Sequence, residues 1–171
     1  SLPRLFAAGE LDAITINFPT PQPKAKYAKK RLVHVDHLML YRPLFAAGAT
    51  VTLRTDSKPL RDYALGQFAA AGYGTLWVSD DVRRDHPEHP ETEYECRTRE
   101  MGAVVYGICA TPGAEPTEEQ LAAGSAQEQS LACYLPDNLD ELTYVPLGME
   151  EAVENFKNRA RKGKKRLPQE G

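Results

Sequence analysis

Cysteine and tryptophan are scarce in this chain, and long apolar runs are missing from it. Its 171 residues include three cysteines and one tryptophan. The cysteines (Cys96, Cys109 and Cys133) are odd in number and have no C-x-x-C spacing, which argues against a disulfide framework and a cysteine zinc site. No apolar run approaches the roughly 18–20 residues that a membrane-spanning helix needs. We therefore expect a cytoplasmic protein with reduced thiols and no membrane partner.

Positive charge is absent from residues 101–156, while acidic residues recur from Glu115 to Glu154. Dense groups of cations lie at 24–31 and 157–166 instead. The net charge of −3 by itself argues against a nucleic-acid partner. Local clusters, however, decide whether phosphates are held. The first basic segment therefore remains a candidate for contact with a polyanion.

Alternating strand and helix signals predict an α/β fold with a parallel sheet. The apolar run from 32 to 47 predicts a helix, with Asp36 as its N-cap, Gly48 as its stop and Pro43 as the site of a kink or early end. Asp56 or Ser57 can cap the next helix. That helix is predicted to have Pro59 in its first turn, to end at Gly72 and to bury one apolar face: Leu60, Ala64, Phe68 and Ala71. β-branched and apolar runs predict strands over 11–17, 50–54, 73–78 and 103–109, and the polar stretch 79–100 predicts a long loop.

The pattern changes after Pro112, so we divide the chain into an α/β part (1–111) and a mostly helical, acidic extension (112–171). The extension is predicted to contain short helices over 117–124 and 126–133, the first with a Thr117–Gln120 capping box, and an amphipathic helix over 149–162. Its basic end, through 164–166, is predicted to be disordered.

The most informative segment is residues 13–32, AITINFPTPQPKAKYAKKRL. A β-branched strand leads into a stiff turn that contains Pro19, Pro21 and Pro23. Ligands of open α/β sheets lie outside the carboxyl ends of the strands, so this turn is a candidate binding edge. Five cations follow within eight residues and suit a polyanion, although composition alone would also fit a solvated basic helix face: Lys24, Lys26, Lys29, Lys30 and Arg31.

This segment resembles the INFPDPWPK-x-RH-x-KRRL stretch of the bacterial tRNA (guanine-N7-)-methyltransferases. Residues 16–24 and 29–32 carry the match. Two later motifs keep the family's order, since residues 54–56 (Arg-Thr-Asp) resemble its strand-ending Thr-Asp and residues 92–95 (Thr-Glu-Tyr-Glu) resemble its Thr-x-(Phe/Tyr)-Glu. The resemblance covers about 12–108 and implies the C-terminal half of a Rossmann-like S-adenosylmethionine methyltransferase sheet, followed by a helical C-terminal extension. The family's glycine-rich cofactor loop belongs to the other half.

The resemblance also implies roles for individual residues. Thr20 occupies the position of the family's catalytic and cofactor-binding aspartate, so it is the candidate for both roles with S-adenosylmethionine as cofactor. Asp56 could instead be only a helix cap, and Tyr27 could stack on a base or pack locally. Substrate contacts are implied for Lys24, Asp56, Thr92, Glu93, Tyr94 and Glu95, and contacts with tRNA for Lys26, Tyr27, Lys29, Lys30 and Arg31.

Two functions follow from these motifs. The first is methylation of guanine N7 in tRNA, with this chain carrying the guanine- and tRNA-binding half. The alternative is a non-catalytic remnant that binds RNA or a partner. In either case strand 13–17 would have an open apolar edge, which we expect a second chain, a self-dimer or the extension to cover.

His86 and His89 have metal-like spacing, but prolines interrupt it and no third ligand is evident, so we expect no metal.

Overall fold

The protein is built on a mixed four-stranded sheet in the order β1-β2-β4-β3. A computed structural model describes residues 2–164. The strands are β1 (Leu11–Asn17), β2 (Phe45–Thr55), β3 (Tyr73–Ser79) and β4 (Tyr106–Pro112). The α-helices are α1 (Leu2–Leu5), α2 (Val35–Tyr41), α3 (Lys58–Ala70), α4 (Val82–Asp85), α5 (Glu93–Glu100), α6 (Glu118–Ala126) and α7 (Glu150–Lys164). Short 3₁₀ turns occupy Ala25–Lys30, Arg42–Leu44, Leu131–Tyr134 and Leu139–Glu141.

Strand β1 has the predicted bounds, but β2 is much longer than predicted. Helix α2 ends at Tyr41, as Pro43 indicated, and the apolar residues from Phe45 onward join the strand instead of continuing the helix. Gly48 (φ 75°) therefore lies inside β2, where the pairing with β1 shifts register, and is not a helix stop. The predicted cap Asp36 is also wrong, because His34 caps α2 by accepting a hydrogen bond from the Asp36 N–H.

The prediction of an all-parallel sheet is wrong for its last strand. β1 and β2 run parallel, but β4 is antiparallel to both β2 and β3, and it begins at Tyr106 rather than at 103. The predicted loop over 79–100 is also wrong, since it contains α4 and α5. Their N-caps are Asp81 and Thr92, which accept hydrogen bonds from backbone N–H groups of their first turns. These short helices are mostly exposed and polar, so they lack the apolar periodicity by which a helix is recognised.

Helix α3 follows the sequence prediction closely and supplies much of the core. Ser57 caps it by accepting from the N–H of Leu60, and Pro59 lies in its first turn. The predicted apolar face is buried against the sheet together with Leu53 and Ile108 of the central strands. That face consists of Leu60, Ala64, Phe68 and Ala71.

The C-terminal segments pack onto the same core. Helix α6 has the predicted capping box between Thr117 and Gln120. The predicted helix over 126–133 is wrong, because only a 3₁₀ turn forms there, yet Leu131 within it is fully buried. Met149, just before α7, joins the same cluster. Lys164 ends α7, and the rest of the predicted basic tail lies outside the described residues.

The sheet has two edge strands, β1 and β3. Within residues 2–164, β1 pairs only with β2, so its other side has no strand partner in this part of the chain. Ile16 packs into the core, whereas Ile14 is only half-buried. The prediction that another chain, a self-dimer or the C-terminal extension covers this edge stays a prediction.

Candidate functional site

The carboxyl ends of the parallel strands β1 and β2 meet at the start of the proline-rich turn. Asn17 pairs with Arg54, and the next N–H, that of Phe18, donates to the Arg54 carbonyl at 2.7 Å. Phe18 and Gln22 both adopt left-handed backbone conformations, with φ of 47° and 50°. Side-chain-bearing residues rarely do so, and such conformations cluster at binding and catalytic sites, where surrounding contacts hold them.

Arg31 is the residue that holds this turn in place. Its side chain is buried and donates from Nε and Nη2 to the carbonyl oxygens of Pro21 and Gln22 at 2.7–3.1 Å. The guanidinium also lies over the Tyr63 ring, 4.5 Å from its centroid. Burial lowers the pKa of Arg31. The predicted contact between Arg31 and RNA does not match this placement, because the guanidinium faces the protein interior.

An open cleft of about 530 Å³ lies beside the turn, at the strand ends. Segments that are distant in sequence meet there: the turn with Thr20, the residue Asp56 after β2, and Thr92 and Tyr94 at the start of α5. Four of the predicted site residues are thus brought together. Thr20 is exposed, whereas the Thr92 hydroxyl is engaged as the cap of α5, at 3.1 Å from the Glu95 N–H.

Asp56 is the best-defined polar group of the cleft. It is 8% exposed, and its Oδ2 accepts hydrogen bonds from the hydroxyls of Tyr94 at 3.2 Å and Tyr144 at 2.8 Å. Burial and the bond to this carboxylate raise the pKa of Tyr144. Because Ser57 is the cap of α3, capping does not account for Asp56. Tyr144 was missed by the sequence analysis, since nothing in its local pattern separates it from the rest of the acidic extension.

The two glutamates of the 92–95 motif lie away from the cleft. Glu95 is fully buried and accepts from Arg54 at 2.5 Å and from Arg83 at 3.1–3.2 Å. The Glu93 side chain is 85% exposed and lies 3.8 Å from Arg97. In this arrangement Glu95 fixes two arginines and neither glutamate reaches the cleft, so the substrate contacts predicted for them remain predictions without geometric support.

The predicted RNA-binding lysines are exposed on the 3₁₀ turn that follows the proline-rich turn. Lys26 and Lys30 place their ammonium groups 5.0 and 4.8 Å from the centroid of the Tyr27 ring, so Tyr27 packs locally against them. Lys29 is exposed on the same 3₁₀ turn. Lys24 differs, because it is paired with Glu151 of α7 at 2.9 Å, an exposed contact between the turn and the extension.

These features define an α/β protein with a ligand cleft at the carboxyl ends of parallel strands, as in Rossmann-like methyltransferase folds. The family model described as "Putative methyltransferase" matches residues 1–108, and the chain belongs to this family.

Curated relatives agree with that family. A tRNA (guanine-N(7)-)-methyltransferase of Streptococcus equi subsp. zooepidemicus (strain MGCS10565) is 34% identical over 112 residues, which are 65% of this chain and 53% of the relative. The enzyme of that name from Exiguobacterium sibiricum is 33% identical over 107 residues, 62% of this chain and 50% of the relative. The resemblance inferred from the motifs is thereby confirmed. The chain spans about half the length of the curated relatives it matches.

S-adenosylmethionine is the usual methyl donor of methyltransferases, and the described residues fit only part of it. The turn from Asn17 to Thr20 lines the cleft at the ends of β1 and β2. The one Gly-x-Gly of the sequence, at Gly72 and Gly74, joins the end of α3 to the start of β3 and is not a strand-to-helix loop at the cleft.

Within residues 2–164, no helix has the length and apolar character that crossing a membrane requires.

Proposed function

We propose that this chain carries the guanine- and tRNA-binding half of a cytoplasmic, S-adenosylmethionine-dependent tRNA (guanine-N7-)-methyltransferase. The observation that carries the proposal is the convergence of Thr20, Asp56, Thr92 and Tyr94 on one cleft at the ends of β1 and β2. The names of the relatives support the same substrate. The alternative, a non-catalytic remnant that binds RNA or a partner, is favoured by the uncharged Thr20 at the position of the family's aspartate.

The chemistry of guanine N7 suits this cleft. N7 carries a free lone pair and is an acceptor, so its methylation needs no base to remove a proton first. The protein must hold the base by its edge in line with the methyl group and stabilise the positive charge that develops on the ring. When bound, S-adenosylmethionine supplies the methyl group.

Asp56 has an oxygen available for such a base. Both tyrosine hydroxyls donate to Oδ2, and no donor within residues 2–164 reaches Oδ1. A carboxylate oxygen can accept from the N1–H or N2–H₂ of guanine. The ring of Tyr94, 4.9 Å from that of Phe18, borders the same space and can stack on a base. Thr20 offers a hydroxyl that can orient a polar group but does not add charge.

The exposed lysines that follow the proline-rich turn supply the proposed contact with the tRNA backbone. Lys26, Lys29 and Lys30 can neutralise phosphates, and each phosphate neutralised makes binding more salt-dependent. Replacing all three by glutamine should weaken tRNA binding and reduce the slope of log K against log [salt] by about 2–3. A matched control replaces three exposed cations on other elements, Arg84, Arg97 and Lys162, by glutamine.

The first experiment is fluorescence anisotropy with labelled tRNA at several salt concentrations. We expect the 26/29/30 variant to lose affinity and slope while the control variant keeps both. Absence of tRNA binding at low salt, or equal losses in the two variants, would refute the proposal.

A second experiment separates the enzyme from the remnant. Methyl transfer from labelled S-adenosylmethionine to tRNA is measured for the wild type and for Thr20→Asp, alongside thermal unfolding with and without the cofactor. Saturation at about 100 times the dissociation constant would add roughly 2.7 kcal/mol of stability. Transfer that appears or increases in Thr20→Asp supports the enzyme. Binding of tRNA without transfer in either protein supports the remnant.

The open side of β1 forms part of the proposal. We infer that a second chain or a second copy of this one pairs with it, since an unpaired strand edge favours association. Analytical ultracentrifugation tests this point: the wild type should form a dimer or larger species, and Ile14→Lys, placed on the half-buried position of β1, should weaken it. A monomer at all concentrations would exclude the self-dimer.

A further inference from the structure

A second group of potential ligands lies outside the cleft, on the segment between α4 and α5. His86, Glu88 and His89 each place one ligand atom so that all three atoms lie within 4.8 Å of one another. The Nδ1 atom of His86 is 3.2 Å from Oε1 of Glu88. The two histidines have metal-like spacing in the sequence, and the glutamate between them supplies the third ligand.

The segment that carries these side chains is held by several independent contacts. Pro87 and Pro90 restrict its backbone, and the N–H of His89 donates to the carbonyl of His86 at 3.1 Å. Arg83 donates to the His89 carbonyl at 2.8 Å while it also pairs with the buried Glu95. The imidazole positions are therefore fixed by the fold before any ligand arrives.

Trp77 of β3 fixes the rings themselves. Its indole stacks on His86, with centroids 3.9 Å apart and an angle of 25° between the planes. It meets His89 edge-on at 5.8 Å. A single aromatic side chain thus orients both imidazoles, an arrangement that lowers the entropy lost when a ligand immobilises them.

We propose that His86, Glu88 and His89 bind one divalent transition-metal ion, with zinc as the expected occupant. Two imidazole nitrogens and one carboxylate oxygen suit zinc, cobalt, nickel or copper, whereas magnesium and calcium prefer oxygen ligands alone. Three protein ligands leave the fourth position of a tetrahedral zinc ion open to water or to another ligand.

The three ligand atoms lie within 4.8 Å of one another, so pairs other than His86–Glu88 must close by up to about 1.5 Å to bind one zinc ion. Zinc–ligand bonds of about 2.0–2.1 Å in tetrahedral geometry place ligand atoms about 3.3 Å apart. The pair formed by His86 and Glu88, at 3.2 Å, already has that spacing. The Glu88 side chain is 67% exposed and can rotate without displacing any buried group. An alternative use of the same side chains is a metal-free ion pair between protonated His86 and Glu88, so the test must distinguish metal binding from that pair.

The test uses the whole chain without an affinity tag, at pH 7.5. Isothermal titration calorimetry with zinc chloride should give saturable binding of one ion per chain. Nickel or cobalt should quench the fluorescence of Trp77, which is the only tryptophan of the protein. Glu88→Gln and His89→Gln should each weaken zinc binding by at least about tenfold, the loss seen when even an outer partner of a metal ligand is removed.

Control variants separate this site from other zinc-binding groups. Glu93→Gln removes an exposed carboxylate from the neighbouring helix and should leave zinc affinity unchanged, as should Cys96→Ser with Cys133→Ser, the two exposed thiols. Thermal unfolding without metal should match between Glu88→Gln and the wild type, which verifies folding. The proposal is overturned if zinc does not bind saturably, if binding survives His86→Gln with His89→Gln, or if it is lost with the thiols.

Discussion

Replacing Glu95 with glutamine would remove the buried negative charge that pairs with Arg54 and Arg83. Glu95 has no exposed surface, and it accepts hydrogen bonds from Arg54, itself 2% exposed, and from Arg83. The Nε atom of Arg54 already has no hydrogen-bond partner within the described part of the chain. The variant would leave two guanidinium charges facing a neutral amide, with little access to water for the first of them.

The size of the effect follows from that burial. Breaking a buried ion pair by removing one partner typically destabilises a protein by about 3–5 kcal/mol, because an uncompensated charge remains inside. Glutamine keeps one oxygen as an acceptor, and Arg83 is partly exposed, so we expect a loss of about 3 kcal/mol, at the lower end of that range.

Urea unfolding followed by circular dichroism measures this loss. With an m-value of about 2 kcal/mol/M, the midpoint should fall by about 1.5 M. Glu93→Gln, two residues earlier on the exposed side of α5, is the matched control and should change stability by less than about 0.5 kcal/mol. If Glu95→Gln costs less than about 1 kcal/mol and mainly weakens tRNA binding, then Glu95 is a ligand contact, as the motif implied, and our structural interpretation is wrong.

Three further predictions address the cap of α2, the cleft and the sheet. Burial lowers the pKa of His34 below its ordinary 6.5, so the unfolded chain takes up the proton first and the free energy of unfolding should decrease as the pH falls below about 6.5. His34→Asn, which can still cap, should flatten the pH dependence of unfolding, and an unchanged profile would contradict this. Tyr144→Phe removes one hydrogen bond to Asp56 and should cost about 1 kcal/mol in urea unfolding, whereas no change would mean that water replaces the hydroxyl. Gly107→Ala would place a Cβ 2.6 Å from a valine methyl and should lower the free energy of unfolding by about 1–3 kcal/mol. The control is Gly74→Ala, whose Cβ would have no neighbour nearer than 4.0 Å and which should lower it by less than about 1 kcal/mol.

Local signals in the sequence predicted the elements that are stabilised locally. Strand β1 was predicted to the residue, and α3 was predicted with its buried face and with two candidate caps, Asp56 and Ser57, of which Ser57 is the cap. A Pro in the first turn and an apolar repeat are properties of neighbouring residues. Helix α5 was missed, since its N-terminal cap at Thr92 was interpreted only as part of a binding motif. The reversed direction of β4 could not be predicted, because the direction of a strand depends on which residues pair with it. The residues that pair here, such as Leu53 and Ile108, are far apart in sequence.

The same contrast between local signals and long-range contacts holds for the candidate site. Thr20, Asp56 and Tyr94, which the motifs assigned to cofactor and substrate, line one cleft in the structure, and their roles stay predictions. Arg31 was assigned to RNA by its place in the family's basic segment, but long-range contacts with the turn and with Tyr63 bury it. Burial of a cation depends on groups supplied by other segments, so charge in the sequence alone does not distinguish a positioning arginine from a binding one.

The hydrogen bond from Tyr144 to Asp56 has a consequence for how the extension and the cleft communicate. A phenol donates to Oδ2 of the same carboxylate whose Oδ1 a guanine edge would approach, so the ligand and the C-terminal segment would use the two oxygens of one side chain. Tyr144 belongs to the segment that leads into α7, whose Glu151 is paired with Lys24. The proposed ligand contact and the docking of the C-terminal segment therefore depend on one carboxylate, and a protease that cuts near residue 144 would cleave an Asp56→Ala variant faster than the wild type.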